Sequence, residues 1–454
     1  MSTTRYSKEV VVLGGGLAGL SAMCNLLDKG YKVTLIEKRP FLGGRAFSYI
    51  DKETGIEVDN GQHIFMGCCT YFIEFLHKVN AYKKIFIQEK LNIKIVRNSR
   101  ESSIFSVPWL GFFHLLPSLI AYSHVTFKDK MLIIYALLKI KNLDREAIKL
   151  DLDNESFYNW LKRNKQSDTS IQSLWNLVVL PTLNDNIQNV SAYMGIMVFQ
   201  EGLLKGPKEA ALGYSTVGLT SLLGDSMQEY IKSKRGEIIL GKAVTSIEIV
   251  DNRINSVVLT DGSNINGKIF ISALPFDKYK EIFPILSNNY PLKSVGERLT
   301  YSPILGIHIW YDREVMEDDL IAFLDSEIQW VFNKSSMQKI QELSGQHLSI
   351  SISGAWKYAN MSKQKIQDIF TMEMKQLFPK AQQAIVKRCI IIKQLQATFR
   401  SLPGAYSARP KPNTEILNLF IAGDWTATGW PSTMEGAVKS GVLAAKEINS
   451  KLTE

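Results

Sequence analysis

Cysteine is scarce. Four residues in 454, two of them adjacent at Cys68 and Cys69, give no disulfide framework, and a reducing compartment is expected. Met1 to Glu9 is polar, and the apolar run behind it is short and broken by glycine, so no secretory leader is expected. The net charge is +9, yet there is no lysine–arginine block and no known nucleic-acid motif. Nucleic acid is therefore not an expected partner, and the surplus charge is left to a solvated basic surface or to anionic lipid. No CxxC, HExxH or GxSxG pattern occurs, which removes support for metal or serine-hydrolase chemistry, and no metal ligand is assigned. The length calls for two or three domains.

What is present begins with "EVVVLGGGLAGLSAMCNLL". Val10 to Leu13 form a continuous apolar run, as a strand buried on both faces requires. Gly14, Gly16 and Gly19 follow as GxGxxG. The first permits a tight turn, the second lets backbone approach a pyrophosphate, and the third lets helix and strand pack closely. Leu17 and Ala18 fall in the first turn of that helix, which is expected to run to about Lys29 and stop at Gly30. "YKVTLIEK" is a second strand. Glu37 near its end is placed to accept from the hydroxyls of an adenosine ribose, with Lys38 beside it. Strand, glycines, helix, strand and acid thus arrive in the order of a dinucleotide site. No second unit of this kind appears, so no built-in NAD(P)H site is expected.

"EKRPFLGGRAFSY" then sets Gly43, Gly44 and Arg45 so that backbone and a guanidinium meet the same pyrophosphate. This ExxxxxGGR pattern resembles the second fingerprint of flavoproteins in the glutathione-reductase and amine-oxidase lineage, which favours FAD over NAD. In families sharing it, the loop holding Asp59, Asn60, Gly61, Gln62 and His63 passes beside the isoalloxazine ring. Gly61, Gln62 and His63 are therefore cofactor contacts by resemblance, and His63 is a candidate general acid.

From Ser102 to Phe127 there is no Asp, Glu, Lys or Arg. That is long enough to span a bilayer, but Pro108, Pro117, His114, His124 and five serines argue against a simple span. "KDKMLIIYALLKIKN" follows, with lysines around an apolar body. The pair suggests a wedge over 102–141 lying in the membrane interface. "FYNWLKRN" and "SLWNLVVLPTLNDNIQNVSAYMGIMVFQEGLL" read as helices of a second domain, with a turn marked by Pro181, Asn184 and Asn186. Short alternating strands after Gly236 read as a meander, and Val244 meets the adenine by resemblance. "ILGIHIWYD" and "LSISISG" suit a sheet flooring a substrate cavity.

The chain ends on "IAGDWTATGWPSTMEGAVKSG". A buried strand delivers Gly423 and Asp424 to the ribityl or pyrophosphate region. Ser432, Thr433, Met434 and Glu435 read as a capping box, Ser hydroxyl and Glu carboxylate satisfying the open N–H groups of their own helix. That helix N-terminus would meet the flavin, and Thr433 and Met434 count with Glu435 as cofactor contacts. Gly436, Ala437, Ser440, Gly441, Ala444 and Ala445 form a small-residue face suited to packing on the first helix. No cysteine follows Cys389, so a thioether to flavin near this motif is excluded and FAD is expected to be non-covalent.

The terminal stretch, with "QATFRSLPGAYSARPKPNT", "VDNGQH", "LWNLVVLPTLND" and "SPILGIHIWYD", resembles the hydroxysqualene dehydroxylases, also called squalene-associated FAD-dependent desaturases. The Ser-Met-Glu-Gly-Ala element is shared with plant-type carotene desaturases. "QWVFNKS" departs from the pattern: Asn333–Lys334 stand where Asp–Arg is expected. The resemblance implies an α/β fold with a discontinuous Rossmann-like FAD-binding domain (1–75, 205–276 and 384–454), of the two-dinucleotide-binding-domain type. A mixed α+β substrate domain would hold 76–204 and 277–383. It implies a bacterial squalene-forming step feeding hopanoid synthesis: hydride from reduced FAD replaces the hydroxyl of hydroxysqualene. The partners would be this lipid, an external electron donor and a membrane surface. The location would be cytoplasmic, peripheral to the inner face of the cell membrane. His63, Tyr214 and Tyr406 are the candidate proton donors. The rival readings are a carotenoid (phytoene-type) desaturase and a non-catalytic lipid-binding escort.

Overall fold

The computed structural model describes residues 8–283, 295, 297–339 and 345–453. Residues 1–7 of the polar segment Met1 to Glu9, on which the expectation of no leader rests, lie outside them. The expected first unit forms. Glu9–Leu13 is a strand with Val10 to Leu13 buried, Leu17–Leu27 is a helix, and Lys32–Glu37 is the second strand. The helix ends two residues before Lys29. Gly30 adopts a φ of +74° and its N–H reaches the Leu27 carbonyl at 3.0 Å, which is how a glycine closes a helix C-terminus.

These strands belong to a five-stranded parallel sheet ordered Glu237–Leu240, Lys32–Glu37, Glu9–Leu13, Ile269–Ser272, Leu419–Ile421. Stretches far apart in sequence therefore lie side by side in it. The first helix packs on the terminal helix, Met434–Thr453, through small residues. A Cβ on Gly441 would sit 2.3 Å from the Ala18 carbonyl oxygen, closer than any side chain allows. Ser21 Oγ donates across the contact to the Val438 carbonyl at 2.8 Å. The expected meander also forms, as Val244–Val250, Arg253–Leu259 and Asn264–Asn266.

A second, seven-stranded mixed sheet runs Val386–Phe399, Tyr301–Tyr311, Gln346–Ser353, Trp330–Asn333, Leu320–Phe323, Asn92–Arg97, Arg100–Phe105. Its last strand corrects the reading of 102–141 as one wedge: Ser102 to Phe105 pair with Asn92 to Ile95. The uncharged run is not uniformly apolar, and its polar end is used in a ladder. His114 and His124 are likewise internal. Their Nε2 atoms lie 3.0 Å from the Leu203 carbonyl and 3.3 Å from the Ile95 carbonyl.

Pro181 does not mark a turn. It lies inside the helix Asn176–Leu183, which enters directly from a wider, π-type turn at Ile171–Trp175. The turn comes after it, where Asn184 takes a φ of +53°, a conformation that asparagine tolerates better than most residues.

Candidate functional site

At the first turn, the Glu37 carboxylate does two jobs with backbone. Oε2 accepts from the Gly15 N–H at 2.7 Å and Oε1 from the Arg39 N–H at 2.9 Å. Gly14 has a φ of +108°, and a Cβ on Gly19 would lie 2.0 Å from the Gly14 carbonyl oxygen. Gly16 is the N-cap of the first helix and supplies no side-chain cap, so the N–H groups of its first turn face outward with the positive end of the helix dipole. The second glycine pair is pressed against this turn. Gly43 N–H donates to the Gly15 carbonyl at 2.9 Å, and a Cβ on Gly44 would fall 2.8 Å from the Gly16 Cα. Such a cradle, bare of side chains and lined with donors, fits a pyrophosphate. Leu17 and Ala18 are buried in its floor and Lys38 is exposed at its rim. Lys242 N–H reaches the Glu37 carbonyl at 3.2 Å, which brings Val244, two residues on, to the acid end of the site.

The opposite wall comes from the chain's end. Arg45, half-exposed, forms an ion pair with buried Asp424, and its Nη1 donates to the Ala397 carbonyl at 3.1 Å. Ser432 Oγ donates to the other oxygen of Asp424. Gly423 N–H is held by Ser440 Oγ at 2.8 Å, fixing the strand end to the terminal helix. Arg409, in the ARPKP stretch, escaped the sequence reading. Its buried guanidinium donates to the Asp424 carbonyl at 2.8 Å, to the Thr426 carbonyl and to Thr428 Oγ1 at 3.1 Å, which shapes the loop before Trp430. Burial pulls its pKa down to about 10, leaving it charged at neutral pH.

The capping box is not formed as read. Thr433, not Ser432, caps the terminal helix, its Oγ1 accepting from the Gly436 N–H at 3.1 Å. Ser432 is taken by Asp424. Glu435 caps a different helix, Thr70–Lys78, accepting from the N–H groups of Tyr71 at 3.1 Å and Phe72 at 2.8 Å. A motif search looks along the chain, whereas this acid finds its donors across a helix–helix contact. Met434 begins the terminal helix and packs against the main core with Trp430.

The Asp59–His63 loop meets this wall. Asn60 Nδ2 donates to the Arg45 carbonyl at 2.8 Å. The Gln62 side-chain oxygen is buried with no hydrogen-bond partner among the described residues, as expected of a group that waits for a ligand. His63 Nδ1 lies 2.9 Å from the Gly61 carbonyl. A carbonyl only accepts, so Nδ1 carries hydrogen and Nε2 is the position that exchanges a proton. Burial lowers the pKa of this ring. Asp59 itself forms a buried ion pair with Lys334.

The other two proton-donor candidates lie apart. Tyr214 stands opposite Ile64, beside His63 in the chain, but its hydroxyl donates to Asp319 at 3.3 Å, and burial raises its pKa. It packs with Leu320 and Phe332. Tyr406 is on another side, against Tyr193 at 4.6 Å between ring centres, with the Lys149 ammonium 4.2 Å from its ring. It lines a cavity of about 380 Å³ with Trp430, Glu435, Arg145, Glu201 and Lys439. That cavity is lined by charged groups and does not suit a long apolar lipid.

A parallel sheet with two glycine turns at its strand ends, one acid-terminated, closed by a wall from the far end of the chain, defines a FAD-dependent oxidoreductase. The chain belongs to the flavin-containing amine oxidoreductase family, whose sequence pattern matches residues 17–449. It is 25% identical over 464 residues to the 15-cis-phytoene desaturase of Solanum lycopersicum, covering 97% of this chain and 77% of that one. It is 24% identical to a probable zeta-carotene desaturase of Synechococcus elongatus, covering 97% and 98%. Among solved structures, putrescine oxidase bound to putrescine superposes with a TM-score of 0.75 at 15% identity, covering 97% of this chain and 99% of that one. Cyclohexylamine oxidase from Brevibacterium oxydans does so with 0.73 at 16%, covering 98% and 99%. At such identities the structures share the fold alone.

The Glu435 carboxyl has its pKa raised from 4.5 to about 7, chiefly by burial, which outweighs the two N–H groups it accepts. The folded state then binds the extra proton between those values, so stability falls as pH rises through the window from 4.5 to about 7. Denaturant unfolding should show wild type losing roughly 2–3 kcal/mol over that range relative to Glu435→Gln. Parallel pH profiles of the two proteins would contradict the placement.

Proposed function

We propose that this oxidoreductase acts on a long apolar isoprenoid and, within that class, converts hydroxysqualene to squalene. FAD, once reduced, supplies hydride chemistry. The hydroxyl-bearing allylic carbon gains hydrogen, its C–O bond breaks, and the leaving hydroxyl takes a proton and departs as water. One observation carries the reading. The stretches that bear the dehydroxylase resemblance, "VDNGQH", "QATFRSLPG" and "GDWTATGWPSTMEG", all meet on Arg45, through Asn60, the Ala397 carbonyl and Asp424. His63 is the group we assign to the proton. Burial disfavours the charged ring, so the imidazolium that would give the proton from Nε2 is a minor form but a stronger acid than a free one.

The relatives favour a second reading, a carotenoid-type desaturase, since those of highest similarity quoted above are named for phytoene and zeta-carotene. There the same His63, neutral, would accept a proton. Anaerobic incubation of the reduced holoenzyme with hydroxysqualene should yield squalene. Dehydrogenation of phytoene by the oxidised enzyme, with no squalene formed, would replace the first reading by the second. Turnover of neither would leave the lipid-binding escort.

We further propose that this lipid is reached from a membrane surface. The helix Phe127–Asn142 buries Ile133, Ala136 and Ile140 but exposes a second apolar stripe of Phe127, Met131, Tyr135 and Leu138. Trp109, 83% exposed, and Phe113 and Ile120 lie on the short helices just before it. Lys128, Lys139 and Lys141 are exposed on the same helix, suiting anionic headgroups. No described helix is long and apolar enough to cross a bilayer. The protein should co-sediment with phosphatidylglycerol-containing vesicles, and Phe127→Glu with Met131→Glu should abolish this while retaining FAD. Unchanged sedimentation of that variant would exclude the stripe.

A further inference from the structure

Beneath the Asp59–His63 loop runs a chain of buried polar groups that none of the chemistry above uses. Lys334, 1% exposed, lies just after the strand Trp330–Asn333, and its Nζ is 2.8 Å from Asp59 Oδ2. Oδ1 of the same carboxylate accepts from the Leu219 N–H at 2.9 Å. The Asp59 carbonyl lies 3.0 Å from His308 Nε2, and His308 Nδ1 lies 3.0 Å from His347 Nε2. Both rings are fully buried.

The proton positions follow from bonding. The carbonyl only accepts, so His308 Nε2 carries hydrogen. Burial pulls the His308 pKa down to about 4 and that of His347 well below its ordinary value, with Lys334 acting in the same direction on both, so both rings are neutral. His308 Nδ1 is then a lone pair that accepts from His347 Nε2–H. This leaves His347 Nδ1 bare, and it has no partner among the described residues. The His347 ring is held flat against Trp310, 4.0 Å between centres. Every donor along the line thus points at Asp59.

The loop is gripped at adjacent points from one strand, Tyr301–Tyr311. Two residues from His308, Gly306 faces Gly61, where a Cβ would be 3.7 Å from the Gly61 Cα. Asn333, the other residue that departs from the family pattern, bonds the Met316 carbonyl at 3.1 Å and the Ser336 N–H at 3.2 Å. It is neutral, so among the described residues Lys334 pairs with Asp59 alone.

We propose that Lys334 is the positioning residue of the flavin-facing loop. Its charge, backed by the His308–His347 pair, locks Asp59 so that Gly61, Gln62 and His63 are held in place before FAD arrives. The proposal rests on FAD binding and not on the substrate, so its failure and that of the squalene reading are told apart.

The test compares wild type with Lys334→Met, Lys334→Arg and the double variant Asp59→Asn/Lys334→Met, which leaves no charge unpaired should the single variant fail to fold. Two readouts avoid turnover: amide hydrogen exchange of residues 59–63 in the apoprotein, and the visible spectrum and midpoint potential of FAD in the holoprotein. Expected are exchange about tenfold faster or more in the Met variant, or in the double variant, with a shifted flavin band and potential, and restoration of both by Arg. Wild-type exchange, spectrum and potential in the Met or double variant would overturn the proposal. So would an Arg variant as loose as the Met one.

Discussion

The ion pair between Arg45 and Asp424 is the contact on which the site's architecture turns. Asp424 is almost wholly buried, and a carboxylate there is tolerable only with a cation and further donors. Arg45 supplies the cation from the second glycine turn, and Ser432 supplies the hydroxyl from the terminal turn. Because the Arg45 carbonyl and guanidinium also engage Asn60 and Ala397, one residue fixes the relative placement of three loops. Without it, these loops would lose a residue that touches all of them.

Around that pair the backbone does most of the shaping. Glycines let two turns touch at Cα distance, and small residues let the first and last helices approach until Gly441 meets the Ala18 carbonyl. Polar side chains then spend themselves on backbone partners: Glu37 on the first turn, Arg409 on the loop after Gly423, and Glu435 on a neighbouring helix. These residues position the donors of the cofactor cradle and hold the surrounding loops still. In the proposed reaction the reacting groups are FAD and His63.

What could be read in the sequence was what is local. The strand, glycine turn, helix, strand and acid of residues 9–37 follow one another along the chain, and each has a short-range physical cause. The small face of the terminal helix was legible for the same reason. Glu435 was assigned to its own helix because a capping box is a local pattern, and its true donors are 364 and 363 residues away. Lys334 stood out only as a departure from a pattern; its partner is 275 residues distant. The strand Arg100–Phe105 is masked because its last four residues open the uncharged run, which suggests lipid instead of a ladder. Pro181 departs from the rule that proline ends a helix: it lies inside Asn176–Leu183, and the turn comes only at Asn184.

The claim that both ends of the chain build one FAD site is tested most directly by a double-mutant cycle on FAD affinity, using Arg45→Ala, Asp424→Ala and the pair together. The expected result is a loss in each single variant and a marked shortfall from additivity in the double, with coupling of about 1 kcal/mol or more. Strictly additive losses, or wild-type FAD affinity in all three variants, would contradict it.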